Sequence, residues 1–137
     1  MAATVRRVAY FYLVVEDRPG EAYRLLSGIA SGGVSLLAFN AIPLGMNKTQ
    51  LVLFPEEVDL LARVAEEQGL ALSGPQHAIL IQGDDHLGAL ANVHRQLFEA
   101  GVHVVCSSGL TDGRGGFGYL VYVRHEEFER AASVLDL

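Results

Sequence analysis

Asp17-Arg18-Pro19-Gly20 closes the strand-like run Val8 to Val15 (VAYFYLVV) and opens a helical one. A degenerate copy, Asp85-His86-Leu87-Gly88, stands 68 positions later (88 − 20). Glycine at a strand-to-helix turn leaves room for backbone or ligand to approach closely. The backbone N–H groups of the following turn are unpaired within the helix and carry partial positive charge. Two such corners in a chain of 137 residues point to a duplicated binding module and away from an enzyme.

The organisation on either side of each corner repeats. After Gly20, Ala22, Leu25, Leu26, Ile29 and Ala30 fall at the spacing of one apolar helix face, and Gly32-Gly33 ends it. Val34 to Ile42 reads as a second strand, Pro43 to Lys48 as a turn and Thr49 to Phe54 as a third strand. Pro55-Glu56-Glu57 opens a second helix with Val58, Leu61, Ala62 and Ala65 inward, and Gly69 stops it. Leu70 to Ser73 makes a short fourth strand. The unit is β-α-β-β-α-β.

In the second half, Ala78 to Ile81 is a strand, Asp84 to Gly88 the corner, and Leu90, Val93, His94 and Leu97 the helix face. Val102 to Leu110, the turn Asp112 to Gly116 and Phe117 to Val123 follow, and Glu126-Glu127-Phe128 opens the last helix. The offset there is 70 (128 − 58), so two residues are expected to have been inserted at the Gly-rich turn. The sequence stops in or just past that helix, and the second copy lacks its fourth strand. The exposed edge must be paired, either in cis by the N-terminal segment or in trans by a neighbour. The expected boundaries are 1–74 and 75–137.

Composition narrows the partners. A net charge of −6, an isoelectric point near 5.2 and ten scattered basic residues give no basic stripe for nucleic acid. No apolar run reaches the ~18 residues of a membrane span, and the start, Met1 to Arg7, is too short in its apolar part for a secretory signal. Cys106 is the only cysteine, which excludes an internal disulfide and makes a cytoplasmic setting the expectation.

The element order and the Asp17-Arg18-Pro19-Gly20 corner, with Gly33-Val34-Ser35 starting strand two, resemble the ACT domain, a small ferredoxin-like ligand-sensing module. The resemblance covers Val5 to Ser73 and, through the repeat, Gln76 to Leu137. It implies an α+β fold of two ferredoxin-like units, antiparallel sheets with helices on one face, the second unit lacking its last strand. It implies pairing of domains, here as a homodimer, with a small polar metabolite such as an amino acid held at the interface. Carried over by position, the ligand-binding residues are Asp17, Arg18, Pro19, Gly20, Glu21 and Asn40, with Asp84, Asp85, His86 and Gly88 in the second copy. No cofactor is implied. A pair with no catalytic domain attached signals through another protein, such as a metabolic enzyme or regulator; the alternative is a subunit that docks on such an enzyme without a ligand of its own.

Each candidate also has a plainer reading. Gly20 and Gly88 serve turn geometry as well as a ligand. Asp17 and Asp85 fix an ammonium group or cap the following helix, and capping is favoured. Arg18 grips a carboxylate or stays solvated on the surface. The five histidines lack the i, i+3 or i, i+4 pairing of a helical metal site. His103 and Cys106, three apart on a strand, belong on opposite faces, so no metal site is expected. His94 replaces Leu26 on its helix face and reads as a half-buried packing residue. Cys106 reads as a small inert hydrophobe, and Gly113 to Gly116 as a hairpin loop with none of the Lys-Ser/Thr of a phosphate cradle. No nucleophile, base and orienting group stand together, so no catalytic residue is assigned.

Overall fold

The computed structural model describes residues 3–135. The elements are β1 (Thr4–Glu16), α1 (Glu21–Ser31), β2 (Leu36–Gly45), β3 (Lys48–Pro55), α2 (Val58–Gln68), β4 (Ser73–Asp84), α3 (Ala89–Glu99), β5 (Val104–Thr111), β6 (Gly116–Val123) and, after a 3-10 turn at His125–Glu127, α4 (Phe128–Val134). The strand order is β2-β3-β1-β4-β6-β5. The chain separates into two compact units, residues 9–76 and residues 3–8 with 77–135, so β1 and β4 each contribute to both. The expected α+β architecture of two ferredoxin-like units is what is observed.

In the first unit β3 runs antiparallel between β1 and β2, with Leu13 opposite Leu51 and Leu51 opposite Ala41. Odd-numbered positions of β1 and β3 point to the helices, because side chains alternate along a strand. Phe11, Leu51 and Leu53 thereby meet Leu25 and Ile29 of α1 and Leu61 and Val64 of α2. Each such side chain contributes roughly 1.5–3 kcal/mol on burial. Two helix-face expectations shift by a residue. Ala30 and Ala62 are exposed, and Val64 takes the inward place on α2. Gly33, at φ 87°, turns the chain out of α1, and the Val34 amide donates to the Ile29 carbonyl at 3.0 Å.

The second unit repeats this register. Ile81 faces Tyr119 and Tyr119 faces Gly109, each 68 beyond its counterpart (81 − 13, 119 − 51, 109 − 41). Its core joins Ile79, Ile81, Val93, Leu97, Tyr119, Val121 and Phe128.

The position of the insertion differs from the sequence expectation. β3 maps onto β6 without change of offset, from Lys48 and Gly116 (116 − 48 = 68) to Pro55 and Val123 (123 − 55 = 68). The two extra residues lie after β6, where Arg124 and the 3-10 turn precede α4, and not in the Gly-rich hairpin. The four residues of that hairpin equal the residues aligned with the end of β2 and its turn; β5 simply stops earlier.

The expected first strand of the second unit, Ala78 to Ile81, lies within the longer β4, whereas of the fourth strand expected at Leu70 to Ser73 only Ser73 is in a strand, and Leu70 and Leu72 pack on the first core instead. The expected boundary between residues 74 and 75 falls inside β4, and glycine at 74 is what a close approach there needs. A Cβ at Gly74 would lie 2.9 Å from the Tyr10 carbonyl oxygen, and its φ is 130°.

Among the described residues no strand follows α4. Its place beside β4 is taken in cis by Thr4 to Val8 of β1. The Thr4 hydroxyl donates to the Gln82 carbonyl at 3.2 Å, Val5 packs on the core, and Arg7 lies 4.8 Å over the Phe128 ring while pairing with Glu129 at 3.1 Å. The N-terminal half of one long strand thus supplies what the second repeat lacks.

Candidate functional site

The two corners share a backbone frame. The Asp17 amide donates to the Asn47 carbonyl at 2.7 Å, and the Asp85 amide to the Gly115 carbonyl at 2.7 Å. Each bond ties the end of a central strand to the tip of the neighbouring hairpin. In the first unit that tip is Met46-Asn47, both at positive φ (52° and 59°), the geometry of a type I′ turn. In the second, the Asp112 carboxylate accepts from the amides of Arg114 at 2.6 Å and Gly116 at 3.0 Å. Those amides hold the Asp112 carboxyl below its usual titration range.

Helix capping by aspartate, favoured from sequence, does not occur. The N-caps are Gly20 (φ 92°) and Gly88 (φ 84°), without side-chain hydrogen bonds. Asp17 and Asp85 sit three residues earlier, too far back for their carboxylates to reach the N2 or N3 amides, and they act through their backbone N–H groups. Both side chains are exposed.

The side chains of the first corner satisfy one another. Glu21 accepts from Arg18 at 2.8 Å and pairs with Arg24 at 3.1 Å, while Lys48 pairs with Glu16 at 2.6 Å. Arg18 first, then Arg24, holds the Glu21 carboxyl below the usual carboxylate range; Lys48 does the same for Glu16. Arg18 is therefore neither solvated alone nor free to grip a carboxylate without giving up Glu21. Pro19 and Gly20 are exposed beside this cluster.

Asn40 is placed away from it. Asn40 faces Val52, which faces Tyr12, whereas the corner begins beyond the Glu16–Lys48 pair. Four strand positions separate the two rows, about 13 Å, and Asn40 lies on the sheet face opposite Phe39 and Leu53.

The second corner is built differently. Asp84 and His86 line a cavity of about 240 Å³, together with Ile81, Ala89, Asn92, Val93, Gln96, Phe117, Ala3 and Leu135. The His86 ring Nδ1 lies 3.2 Å from the Leu87 carbonyl. Gly88 begins the helix above the cavity, and Asp85 is outside it. Of the lining groups, Asn92 and Gln96 were missed from sequence. The signal for Asn92 was its replacement of the charged Arg24 at the repeat spacing, whereas Gln96 stands where the first copy has Gly28 and carried none.

A second, more open groove of about 640 Å³ runs between α3 and β5, bordered by His94, Phe98, His103, Val105, Cys106 and Ser107. In the first unit Leu26 and Phe39 fill the matching space; here His94 and Ser107 replace them (94 − 26 = 107 − 39 = 68). His94 is half-buried, as expected, and pairs through Nε2 with the Tyr119 hydroxyl at 2.5 Å. Cys106 is exposed on the edge strand, contrary to its reading as a packed hydrophobe. A register irregularity between Val104 and Cys106 breaks the alternation that would have put His103 and Cys106 on opposite faces. Among the described residues no three His, Cys, Asp or Glu side chains cluster as metal ligands, and no helix is long and apolar enough to cross a membrane.

Solved structures share this fold. A protein from Bacteroides thetaiotaomicron superposes with a TM-score of 0.81 at 16% identity, over 98% of this chain and 88% of that one. The regulatory subunit of aspartate kinase from Thermus thermophilus, in its ligand-free form, gives 0.67 at 10% identity over 99% and 95%. The regulatory subunit of aspartate kinase from Thermus flavus gives 0.68 at 14% identity over 99% and 95%. No protein-family model and no curated protein matches the sequence. At these identities the likeness is one of fold.

Proposed function

We propose that this chain is a non-catalytic regulatory protein of the cytoplasm that binds a small polar metabolite, an amino acid by class, and passes the binding state to a metabolic enzyme or regulator. The observation that carries the reading is the duplicated corner, in which an aspartate amide is locked to a hairpin carbonyl at the same 2.7 Å in both units. Such a lock holds the strand end, the glycine turn and the start of the helix in one geometry, which is what a preformed site requires. Support also comes from the fold shared, over nearly the full chain, with two aspartate kinase regulatory subunits.

We place homodimerisation at the β5 edge. This eight-residue strand carries no charged side chain, and Val105 and Leu110 are exposed on it beside Phe98 of α3. Edge strands left without lysine, proline or cover pair with another strand, and a second copy offers the same edge in antiparallel orientation. The second reading, a docking subunit without its own ligand, is favoured by the same apolar edge.

A thermal-shift screen against the twenty amino acids and common nucleotides tests the reading. A ligand at 100 times its Kd stabilises by about 2.7 kcal/mol, which is several degrees for a chain of this size. A silent screen with the fold intact, together with co-purification of an enzyme, would replace the sensor by the docking subunit.

A further inference from the structure

The internal repeat shows what the groove between α3 and β5 has lost. At the 68-residue spacing Leu26 becomes His94, Ala30 becomes Phe98, Phe39 becomes Ser107 and Leu51 becomes Tyr119. In the first unit Leu26 and Phe39 pack on the core, so a phenyl ring fills the space between helix and strand. Phe39 stands opposite Leu53 there, and Ser107 stands in the same way opposite Val121, but its short side chain does not fill the slot. Tyr119 does not supply the missing ring. It lies against Gly109, where a Cβ would be 3.0 Å from its Cδ1, its hydroxyl is paired with His94 Nε2, and it is not one of the groove's walls. The groove that results has about 640 Å³, within the ~300–1,000 Å³ of small-molecule sites.

We propose that this groove is a binding site for a small, uncharged aromatic molecule, whose ring takes the place that Phe39 holds in the first unit. The inference goes beyond the corner reading and does not depend on it. Removing a ring from a packed slot leaves walls that have lost their contacts, and an apolar space of that kind takes up a free ring such as benzene.

The walls specify the chemistry. Leu97 and Val102 form a buried apolar floor, and Phe98 stands at the rim, 81% exposed. A second ring set edge-to-face or offset against Phe98 gains more than burial alone. No lysine, arginine, aspartate or glutamate lines the groove, so a charged group seated there would lack a partner. His94, His103 and Ser107 add hydrogen-bonding groups that suit a ring hydroxyl or ring N–H. Ser107 and Val121 lie on the helix side of the sheet, so a ring seated there leaves the outer edge of β5 to the pairing placed on it above.

The test is a titration of the full-length, ¹⁵N-labelled protein with p-cresol, and in parallel with isobutanol, followed by amide chemical shifts. p-Cresol is expected to move His94, Phe98, Val105 and Ser107 saturably, with isobutanol leaving them in place. Ser107→Phe restores the residue that the first unit carries at this position of the same framework, and is expected to weaken p-cresol binding about tenfold or more. Phe98→Ala, at an exposed position that folding tolerates, removes the aromatic rim and is expected to weaken binding a few-fold; it decides the matter should Ser107→Phe not fold. No response to p-cresol, equal responses to the two probes, shifts confined to Asp84 through Gly88 or to the first unit, or undiminished binding in either folded variant would overturn the proposal.

Discussion

The Asp85 amide donates to the Gly115 carbonyl at 2.7 Å, as Asp17 does to Asn47. All four positions keep the 68-residue spacing (85 − 17, 115 − 47). The acceptors sit in hairpin tips of different construction, a type I′ pair and an aspartate-nucleated loop, so the shared element is the strand-to-hairpin tie and not the turn. The corner aspartates hold the fold through a group that every residue except proline has.

Asp17→Ala and Asp85→Ala are therefore expected to change stability by less than about 0.5 kcal/mol, well under the ~1 kcal/mol typical of losing a true N-cap. Asp17→Pro removes the donor and is expected to cost at least about 1 kcal/mol. Urea denaturation of the three variants separates the side-chain role from the backbone role.

Gly20 and Gly74 predict unequal costs. Gly20→Ala meets only the flexible tip of Arg24 at 3.9 Å and is strained by its positive φ, a cost of about 1–2 kcal/mol. Gly74→Ala adds the 2.9 Å approach to the Tyr10 carbonyl, so backbone must move. Thermal denaturation is expected to rank Gly74→Ala well below Gly20→Ala.

The ion pairs of the first corner predict a direction with pH. Glu16, Glu21 and Asp112 titrate below their ordinary ranges in the folded protein. Their contribution is present above the unfolded values, about 4 for carboxylates, and is lost as pH falls through the lower folded values. Salt weakens the Glu16 and Glu21 contributions, which face exposed cations. NMR titration of Arg18→Ala is expected to raise the Glu21 pKa towards the ordinary value and leave Asp112 unchanged, because backbone amides hold the latter.

Removal of residues 1–7 strips β4 of its neighbour in the second unit. It takes away Val5 and the Arg7 contacts to Phe128 and Glu129. The truncated chain is expected to lose hydrogen-exchange protection in β4 and to associate through the bared edge. Protection at wild-type level would show that the N-terminal half of β1 is dispensable.

Much of this architecture was legible from 3.6- and two-residue periodicity. Leu25, Ile29, Val93 and Leu97 are buried as their spacing requires. What was not legible follows from physics that periodicity does not carry. The strand running through the expected boundary at 74 and 75 was not legible, because Gly74 serves a close approach to Tyr10, a partner 64 residues away (74 − 10). The insertion was misplaced because a Gly-rich run looks long, while the 3-10 turn at His125–Glu127 looks like helix. At the corners the motif was visible but its state was not. The pairing of Glu21 with Arg18 and Arg24, and its absence where Ala89 and Asn92 stand, emerge only when the two corners are compared in three dimensions.

The most direct test of the regulatory account is calorimetric titration of the full-length protein with each of the twenty amino acids. The account predicts saturable binding of at least one. Absence of any heat of binding at millimolar concentrations, from a protein that still unfolds cooperatively, would contradict it.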